Sequence, residues 1–260
     1  MSRCIALLTD FGTSDWFAAS MKGAILCIDP DAAIVDITNE IPAGDIPSAA
    51  FCLLSCYSYF PAGTVFVVVV DPGVGSKRPA IALSAGGYFF VAPDNGVLSP
   101  TVENHSDIRI RSIENPSCMR LPVSTTFHGR DVFAPAAAHI SRGFAFDNLG
   151  PSQETMVRCA LPVAEEQGAV VRGAILYVDR FGNLISNITP TLVSCSNARV
   201  RFAGKSIPVC SCYADVAEGQ LLAVVGSSGF IEISVNRGNA AKQLGIKVGD
   251  EVEIGPDKEK

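Results

Sequence analysis

Acidic residues and glycines follow three predicted strands at the point where each strand ends. The first strand runs into Asp10, the third into Asp71, and a later strand into Asp94 and Asn95. In a parallel sheet, ligands bind beyond the carboxyl ends of the strands, so three such clusters indicate a polar site at one sheet edge. Each cluster taken alone is more typical of an ordinary turn, because Asp, Asn, Gly and Pro are common turn residues.

The segments 71–78 and 124–131 carry charged groups suited to acid–base chemistry. The first is glycine-rich and can fold back, so that the Arg78 guanidinium meets the Asp71 carboxylate in a forked pair. The alternative is a surface ion pair worth about 0–1 kcal/mol. His128 stands among hydroxyl residues and a glycine before a predicted helix, where polar groups often cap the helix or bind an anion. Catalysis by His128 and a merely structural role both remain open on these residues alone.

Two later segments, 179–187 and 226–241, combine acidic, amide and hydroxyl side chains. The first contains an acid, an aromatic ring and two asparagines, and Asn can bond a purine edge while Phe stacks on the purine. An Asx-rich turn explains the same residues equally well. In the second, serine and glycine amides can hold a carboxylate, or can form a hairpin turn followed by a helix cap.

The elements before residue 160 alternate strand and helix. Strands are predicted at 5–8, 33–37, 64–70, 80–84 and 88–92, and helices at 15–27, 46–59 and 132–140. Thr13 or Ser14 is the expected cap of the first helix. The β-branched run at 64–70 is typical of a strand covered on both faces. The pattern predicts an α/β domain with a mainly parallel sheet at residues 1–162.

The pattern changes at 161–168, which we interpret as a linker. Short strands separated by turns follow it, at 173–179, 199–202, 221–225, 231–235 and 251–254, with one helix at 240–244. This pattern predicts a smaller, β-barrel-like C-terminal domain at residues 169–260. Residues 257–260 are expected to fray.

Composition narrows the partners and the compartment. A net charge of −6 over 260 residues argues against nucleic acid and an anionic membrane as partners. Nine scattered cysteines, an odd number, favour a reduced, cytoplasmic protein, and no cysteine or histidine spacing predicts a metal site. Only 18% of the residues are charged, which suggests that copies of the chain cover part of its surface.

Six motifs in this order resemble the S-adenosylmethionine hydroxide adenosyltransferases, which are adenosine-forming SAM hydrolases related to fluorinase and chlorinase. They are Thr9-Asp10-Phe11-Gly12, Asp71-Pro72-Gly73-Val74-Gly75, Pro93-Asp94-Asn95-Gly96, Thr126-Phe127-His128-Gly129-Arg130-Asp131, Asp179-x-Phe181-Gly182-Asn183 and Asn236-x-Gly238-Asn239-Ala240-Ala241. The resemblance spans residues 4–254. It implies an α/β domain, a β-barrel domain and a homotrimer whose ligand lies between the N-terminal domain of one subunit and the C-terminal domain of the next.

The resemblance also implies roles for individual residues of the first domain. Asp10 resembles the carboxylate that holds the ribose hydroxyls. Asp71, Arg78 and His128 match the Asp-Arg-His set that handles the attacking water.

In the second domain, Asp179, Phe181 and Asn183 match residues of a neighbouring subunit that bind the methionine amino group and the adenine. Ser227 and Glu232 lie in the segment that meets the methionine end of the substrate. The remaining substrate-binding candidates within the motifs are Asp94, Asn95, Phe127 and Asn236.

Two departures from the halogenating relatives favour water as the nucleophile. Those enzymes carry tyrosine where this chain has Asp71, and fluorinase has serine where this chain has Gly129. A carboxylate repels a halide. The resemblance, with these departures, therefore implies hydrolysis of S-adenosyl-L-methionine by water attack at C5′, without metal or cofactor, giving adenosine and L-methionine. The alternatives are a non-catalytic binder of adenosine or S-adenosylmethionine, and a halogenase.

Overall fold

A computed structural model describes residues 3–192, 197–202 and 204–257. The chain divides into two units, Met1–Ala160 and Leu161–Lys260. Of the predicted frayed segment 257–260, only Asp257 lies within the described residues.

The first unit is built on a seven-stranded sheet in the order β2-β1-β3-β5-β4-β6-β7. The strands are β1 (Cys4–Thr9), β2 (Ala33–Thr38), β3 (Val65–Val69), β4 (Ala80–Ala85), β5 (Tyr88–Pro93), β6 (Arg109–Ser112) and β7 (Ser152–Gln153). Strands β2, β1, β3 and β5 run parallel, whereas β4, β6 and β7 continue the sheet in antiparallel pairs. The predicted α/β class is confirmed, and the sheet is mixed: its parallel part, β2-β1-β3-β5, is extended by antiparallel strands.

Helices cover both faces of this sheet. They are α1 (Phe17–Ile28), α2 (Ile46–Cys56), α3 (Ser99–Val102) and α4 (Ala134–Ser141). Short 3₁₀ turns lie at Tyr57–Tyr59, Pro116–Cys118 and Phe146–Leu149, and a π-helical turn, Gly129–Phe133, leads into α4.

The all-apolar strand β3 explains this layering. Its side chains alternate between two cores: Val65 and Val67 pack in a cluster with residues of α1 and α4, and Phe66 and Val68 pack in another with residues of α2. A strand has a side-chain period of two, so an uninterrupted apolar run supplies both faces at once.

Three predicted element boundaries are wrong. Helix α1 begins at Phe17, and the residue before it, Trp16, makes no side-chain cap bond, so neither Thr13 nor Ser14 caps the helix. Helix α2 ends at Cys56 and tightens into a 3₁₀ turn. The helix expected from 132 is preceded by the π turn from Gly129.

The second unit is an antiparallel sheet in the order β12-β11-β15-β9-β10-β14-β13, with β8 also paired to β9. Its strands are β8 (Glu165–Gln167), β9 (Val170–Val178), β10 (Leu184–Ser186), β11 (Ala198–Phe202), β12 (Lys205–Pro208), β13 (Leu221–Val225), β14 (Ile231–Val235) and β15 (Glu251–Pro256). Helix α5 (Ala240–Leu244) has the predicted bounds, and 3₁₀ turns lie at Pro190–Leu192 and Tyr213–Asp215.

This sheet is nearly closed. A bridge between Val209, which follows β12, and Ala223 of β13 brings its two edges together, which confirms the barrel-like prediction. The prediction of a linker at 161–168 is partly wrong, because Glu165–Gln167 pairs with β9 as a strand.

None of the described helices is long and apolar enough to cross a membrane.

Candidate active site

A cavity of about 520 Å³ opens at the carboxyl ends of β1 and β3 in the first unit. These strands are hydrogen-bonded neighbours, so the residues that follow them, Asp10 and Asp71, reach the same cavity, as expected for a parallel sheet. The lining residues are Asp10, Phe11, Phe17, Ala43, Gly44, Val69, Asp71, Pro72, Val74, Thr126, Phe127, His128 and Gly129.

The structure brings Asp71, Arg78 and His128 together beside this cavity. Arg78 Nε donates to Asp71 Oδ1 at 2.9 Å, and Arg78 Nη2 donates to Asp71 Oδ2. The same Nη2 lies 2.8 Å from His128 Nδ1. The side chains of Arg78 and Asp71 are only 11% and 6% exposed, so this is a buried forked pair and not the surface ion pair of the alternative interpretation.

Surrounding groups fix the Arg78 guanidinium in place. Its Nη1 donates to the Pro79 carbonyl at 3.2 Å, and its carbon lies 5.2 Å from the centre of the Phe133 ring. A cation over an aromatic face is attracted by the ring quadrupole. Arg78 is therefore held by a carboxylate, an imidazole, a carbonyl and a ring simultaneously.

The surroundings of the His128 imidazole favour its neutral form. Its burial and the neighbouring Arg78 charge hold the pKa of His128 below its usual value, although Asp71 and Asp131 act in the opposite direction. Burial disfavours the charged form of a base, and a nearby cation does the same.

The segment that carries His128 is anchored from two sides. Asp131 is fully buried and accepts bonds from the Arg130 side chain and from the Ser124 backbone N–H at 2.9 Å. On the other side, the backbone of Gly75, at φ +76°, approaches Thr125 so closely that a Cβ on Gly75 would overlap the Thr125 carbonyl oxygen. Only glycine allows this approach.

The remaining cavity wall combines one carboxylate with aromatic rings. Asp10 Oδ2 accepts from the Gly44 backbone N–H at 2.8 Å. Phe127 meets Phe11 and Phe17 edge to face, with ring centres 5.8 and 5.2 Å apart. This wall suits a ligand with one polar hydroxylated part and one flat apolar part.

Asp94 and Asn95 support the sheet edge and are not among the described residues that line the cavity. Asn95 Nδ2 donates to the Val70 carbonyl at 2.8 Å, directly before Asp71. Asp94 Oδ1 accepts from the Val157 N–H at 2.8 Å. Asn95 thus braces the chain from which the Asp71 side chain projects.

Sequence reasoning missed several residues of this site. Phe17 lies on a predicted helix, where an aromatic ring is ordinarily a core residue, and nothing local marks it. Gly44 lies 34 residues from Asp10, and Asp131 stands out only as part of a longer motif. The Asp10–Gly44 bond joins distant segments, for which the sequence carries no separate signal.

In the second unit, Asp179 organises a turn that presents Phe181. Asp179 Oδ1 accepts from the backbone N–H groups of Phe181 and Asn183, each at 2.9 Å, and Oδ2 accepts from Asn183 Nδ2 at 2.9 Å. The Phe181 ring is 73% exposed. The Asx-turn interpretation is therefore correct for the backbone, and the turn leaves an aromatic face free to stack.

Glu232 belongs to a second polar cluster of the same unit. It is 7% exposed, and its Oε1 accepts from Tyr213 and Ser234 hydroxyls, both at 2.7 Å. Burial raises the pKa of Tyr213 to about 12, and the bond to Glu232 adds to the shift. Asn236 Nδ2 donates to the Val216 carbonyl at 2.8 Å, and Ser227 is an exposed turn residue.

Among the described residues, no group of three or more His, Cys, Asp or Glu side chains is arranged to hold a metal ion. The eight described cysteines are all free thiols.

Comparison with known proteins adds the family. Residues 5–150 match the model of the SAM hydroxide adenosyltransferase N-terminal domain, and residues 173–253 match that of the C-terminal domain. An (R)-S-adenosyl-L-methionine hydrolase from Thermus thermophilus is 36% identical over 97% of this chain and 99% of its own. A fluorinase from Actinoplanes sp. is 27% identical over 94% of this chain and 95% of its own. A crystal structure of an uncharacterized conserved protein from Thermotoga maritima superimposes with a TM-score of 0.93 at 38% identity, covering 96% of this chain and 99% of the other.

Proposed function

The chain belongs to the SAM hydroxide adenosyltransferase family, and from this premise we propose that it hydrolyses S-adenosyl-L-methionine to adenosine and L-methionine. The full-length similarity to a relative named (R)-S-adenosyl-L-methionine hydrolase supports this activity. The same name supports the (R) configuration at sulfur as the form that this chain consumes.

The observation that carries the proposal is the hydrogen-bonded set of Asp71, Arg78 and His128 at the cavity. A protein that only stores adenosine needs no interlocked acid–base set. In the reaction, the oxygen of water attacks C5′ and forms the new C–O bond as the C5′–S bond breaks. The electron pair of the broken bond stays on sulfur, and the water gives up one proton.

The leaving group explains why three protein side chains suffice. A sulfonium departs as a neutral thioether, so it needs neither a general acid nor a metal. The weak nucleophile is the difficulty, and holding it in line in a partly dry cavity supplies much of the acceleration. A base within hydrogen-bond reach contributes about 10²–10⁴-fold more.

Gly129 argues against a halogenase. A Cβ at Gly129 would lie 3.1 Å from the Met21 sulfur and 3.3 Å from ring atoms of Phe11 and Phe127. The serine that fluorinase carries there would be crowded, and the Asp71 carboxylate repels a halide. Both features fit water better than fluoride or chloride.

The substrate is proposed to contact both units, supplied by different copies of the chain in a homotrimer. In this arrangement Asp10 holds the ribose hydroxyls of the substrate, Phe181 of a neighbouring copy stacks on the adenine, and Asp179 and Asn183 meet its polar groups. The exposed Phe181 ring and the low fraction of charged residues support this proposal. The free thiols support a cytoplasmic location.

The test is to incubate the pure protein with each sulfonium epimer of S-adenosyl-L-methionine, without halide or added metal, and to follow the products by chromatography. Adenosine and methionine should appear in equal amounts from the (R) epimer. Production should be lost in Asp71→Ala, reduced in His128→Ala, and retained in Asp36→Ala, which removes an exposed carboxylate paired with Lys22.

Two results would contradict the hydrolase. Unchanged substrate with adenosine retained on the protein would indicate a binder. Consumption only in the presence of halide would indicate a halogenase.

A further inference from the structure

The contact between Arg78 and His128 fixes the position of the imidazole proton. Arg78 Nη2 lies 2.8 Å from His128 Nδ1. A guanidinium carries only N–H donors and has no acceptor. His128 Nδ1 must therefore be the acceptor, which means that it carries no proton, and the single proton of the neutral imidazole is on Nε2.

The donor inventory of Arg78 is consistent with this assignment. Nε and one hydrogen of Nη2 form the fork to Asp71, which leaves the second Nη2 hydrogen for His128. A proton on Nδ1 would place two donors against each other, and an imidazolium would in addition place two cations side by side. The arrangement is satisfied only by a neutral imidazole with its proton on Nε2.

Asp71 has the complementary property. Each of its oxygens accepts one hydrogen from Arg78, and each carboxylate oxygen has a further acceptor site. The side chain is 6% exposed and lines the cavity. Asp71 thus presents only acceptors to a bound water, while His128 presents a donor at Nε2.

The geometry points to a division of roles that the triad alone does not specify: Asp71 is the base, and His128 is a hydrogen-bond donor that orients the water. This inference rests on the proposed hydrolysis. As the water oxygen bonds to C5′ and the C5′–S pair moves to sulfur, Asp71 accepts the water proton and later releases it to solvent. His128 Nε2–H holds one lone pair of the water oxygen, so that another faces C5′. Arg78 is a positioning residue, since one of its nitrogens sets the orientation of both partners.

The first test reads the tautomer without any turnover. Two-bond ¹⁵N–¹H correlation spectra of histidine-labelled protein distinguish the two neutral tautomers, and His128→Gln identifies the His128 signals among those of the three histidines. We expect a proton on Nε2 near pH 7.5, and a loss of this single-tautomer signal in Arg78→Met. A proton on Nδ1, or an imidazolium, would overturn the assignment.

The second test separates donor from base. His128→Gln keeps an N–H donor but has no base, so we expect kcat within about tenfold of the unsubstituted protein, the effect of weakening one hydrogen bond. His128→Ala, which has no donor, should be slower than His128→Gln. Asp71→Asn removes the base at nearly constant shape and should lower kcat by about 10²–10⁴-fold.

The opposite ranking would overturn the roles. If His128→Gln loses as much as His128→Ala while Asp71→Asn keeps most of kcat, His128 is the base. Thermal unfolding of each variant shows whether a loss of kcat reflects misfolding. Arg111→Lys, which alters a partly exposed pair with Asp147, is the control and should keep its kcat. Absence of hydrolysis in the unsubstituted protein would overturn the proposed function itself, whatever the spectrum shows.

Discussion

The polar groups of the two units are held in different ways. In the first unit, Asp71, Arg78 and His128 bond to one another across separations of 7 and 50 residues. In the second unit, Asp179 bonds within its own turn, to groups at most four residues away. The first set therefore exists only when the sheet is assembled, whereas the second is formed by a local turn.

The site residues of the two units also differ in how far they are buried. The Asp71 and Arg78 side chains are nearly enclosed, but the Phe181 ring is mostly exposed. Enclosed, mutually bonded charges are suited to a reaction step, where preorganisation matters most. An exposed ring on a preformed turn is suited to binding. Substitutions in the first set should thus act mainly on kcat, and those in the second mainly on KM.

Arg78→Lys should have the largest effect, and it tests whether the first set acts mainly on kcat. An ammonium is a point charge and cannot reproduce the fork on Asp71 together with the bond to His128. We expect kcat to fall by about 10²-fold, the scale of a small misplacement of catalytic groups, with a much smaller change in KM. Steady-state kinetics measures both. The matched control is Arg111→Lys, whose pair with Asp147 lies outside the site. Full activity in Arg78→Lys would remove the orienting role of Arg78.

Gly75→Ala tests whether the packing of two segments sets the catalytic geometry. The added methyl group would overlap the Thr125 carbonyl oxygen and push segment 71–78 away from the segment that carries His128. We expect kcat to fall by about tenfold and the free energy of unfolding to fall by about 1–3 kcal/mol.

Gly143→Ala is the control for backbone strain alone. Gly143 also has a positive φ, +89°, but nothing lies within 4 Å of a Cβ there. It should lose stability, by about 1–2 kcal/mol, without loss of kcat in the folded protein. Equal kcat losses in the two variants would show that the Gly75–Thr125 contact is unimportant for the reaction.

The strands of the first unit were easier to predict from the sequence than the contacts within its site. The apolar run of β3 and the hairpin of β4 and β5 were predictable because burial on both faces and a Gly-Gly turn leave local patterns. The Asp71–Arg78 fork was also predictable as one of two alternatives, since the loop is short. The Arg78–His128 contact joins segments 50 residues apart, and only the resemblance to a family indicated it.

The errors have physical causes as well. Helix α1 starts after Trp16 without a side-chain cap, so a rule based on capping residues placed its start too early. The π turn Gly129–Phe133 has no hydrophobic period of its own and was missed. In the second unit, α5 was predicted with its observed bounds because Asn239 caps it by accepting from the Lys242 N–H at 2.7 Å, a local signal.

Phe181→Ala tests whether the second unit acts mainly on KM. Removing the ring should raise KM about fivefold, which corresponds to about 1 kcal/mol, the low end for a base stacked on an aromatic ring. Because the ring is largely exposed, stability and kcat should change little. Tyr59→Ala removes another largely exposed ring, in the first unit, and should leave KM unchanged. A kcat loss in Phe181→Ala larger than its KM change would contradict the division between the two regions.

The smallest effect is expected at Glu232, where the second unit departs from its local pattern. Tyr213 donates to Glu232 across 19 residues, so this contact joins distant segments as those of the first unit do, although Tyr213 itself is 44% exposed. Burial, followed by the carboxylate, raises the pKa of Tyr213 to about 12. In Glu232→Gln the burial remains but the negative charge is gone. The pKa of Tyr213 should therefore fall, yet stay above the ordinary value for tyrosine, about 10.

The raised pKa has a defined consequence for stability. The folded protein holds the Tyr213 proton more tightly than the unfolded chain, so this contribution is complete below about pH 10 and is lost as the pH rises towards 12. Because Glu232→Gln lowers the pKa of Tyr213 in the folded protein, this contribution to stability should be lost at a lower pH in the variant. The pKa of Tyr213 is measured from phenolate absorbance, as the difference between the titrations with and without Tyr213→Phe. Urea unfolding at several alkaline pH values measures the free energy of unfolding. Glu253→Gln, at a half-exposed pair with Arg172, should leave the Tyr213 titration in place. An unchanged Tyr213 midpoint in Glu232→Gln would show that burial alone holds the phenol, and that the second unit has no interlocked polar set comparable to that of the first.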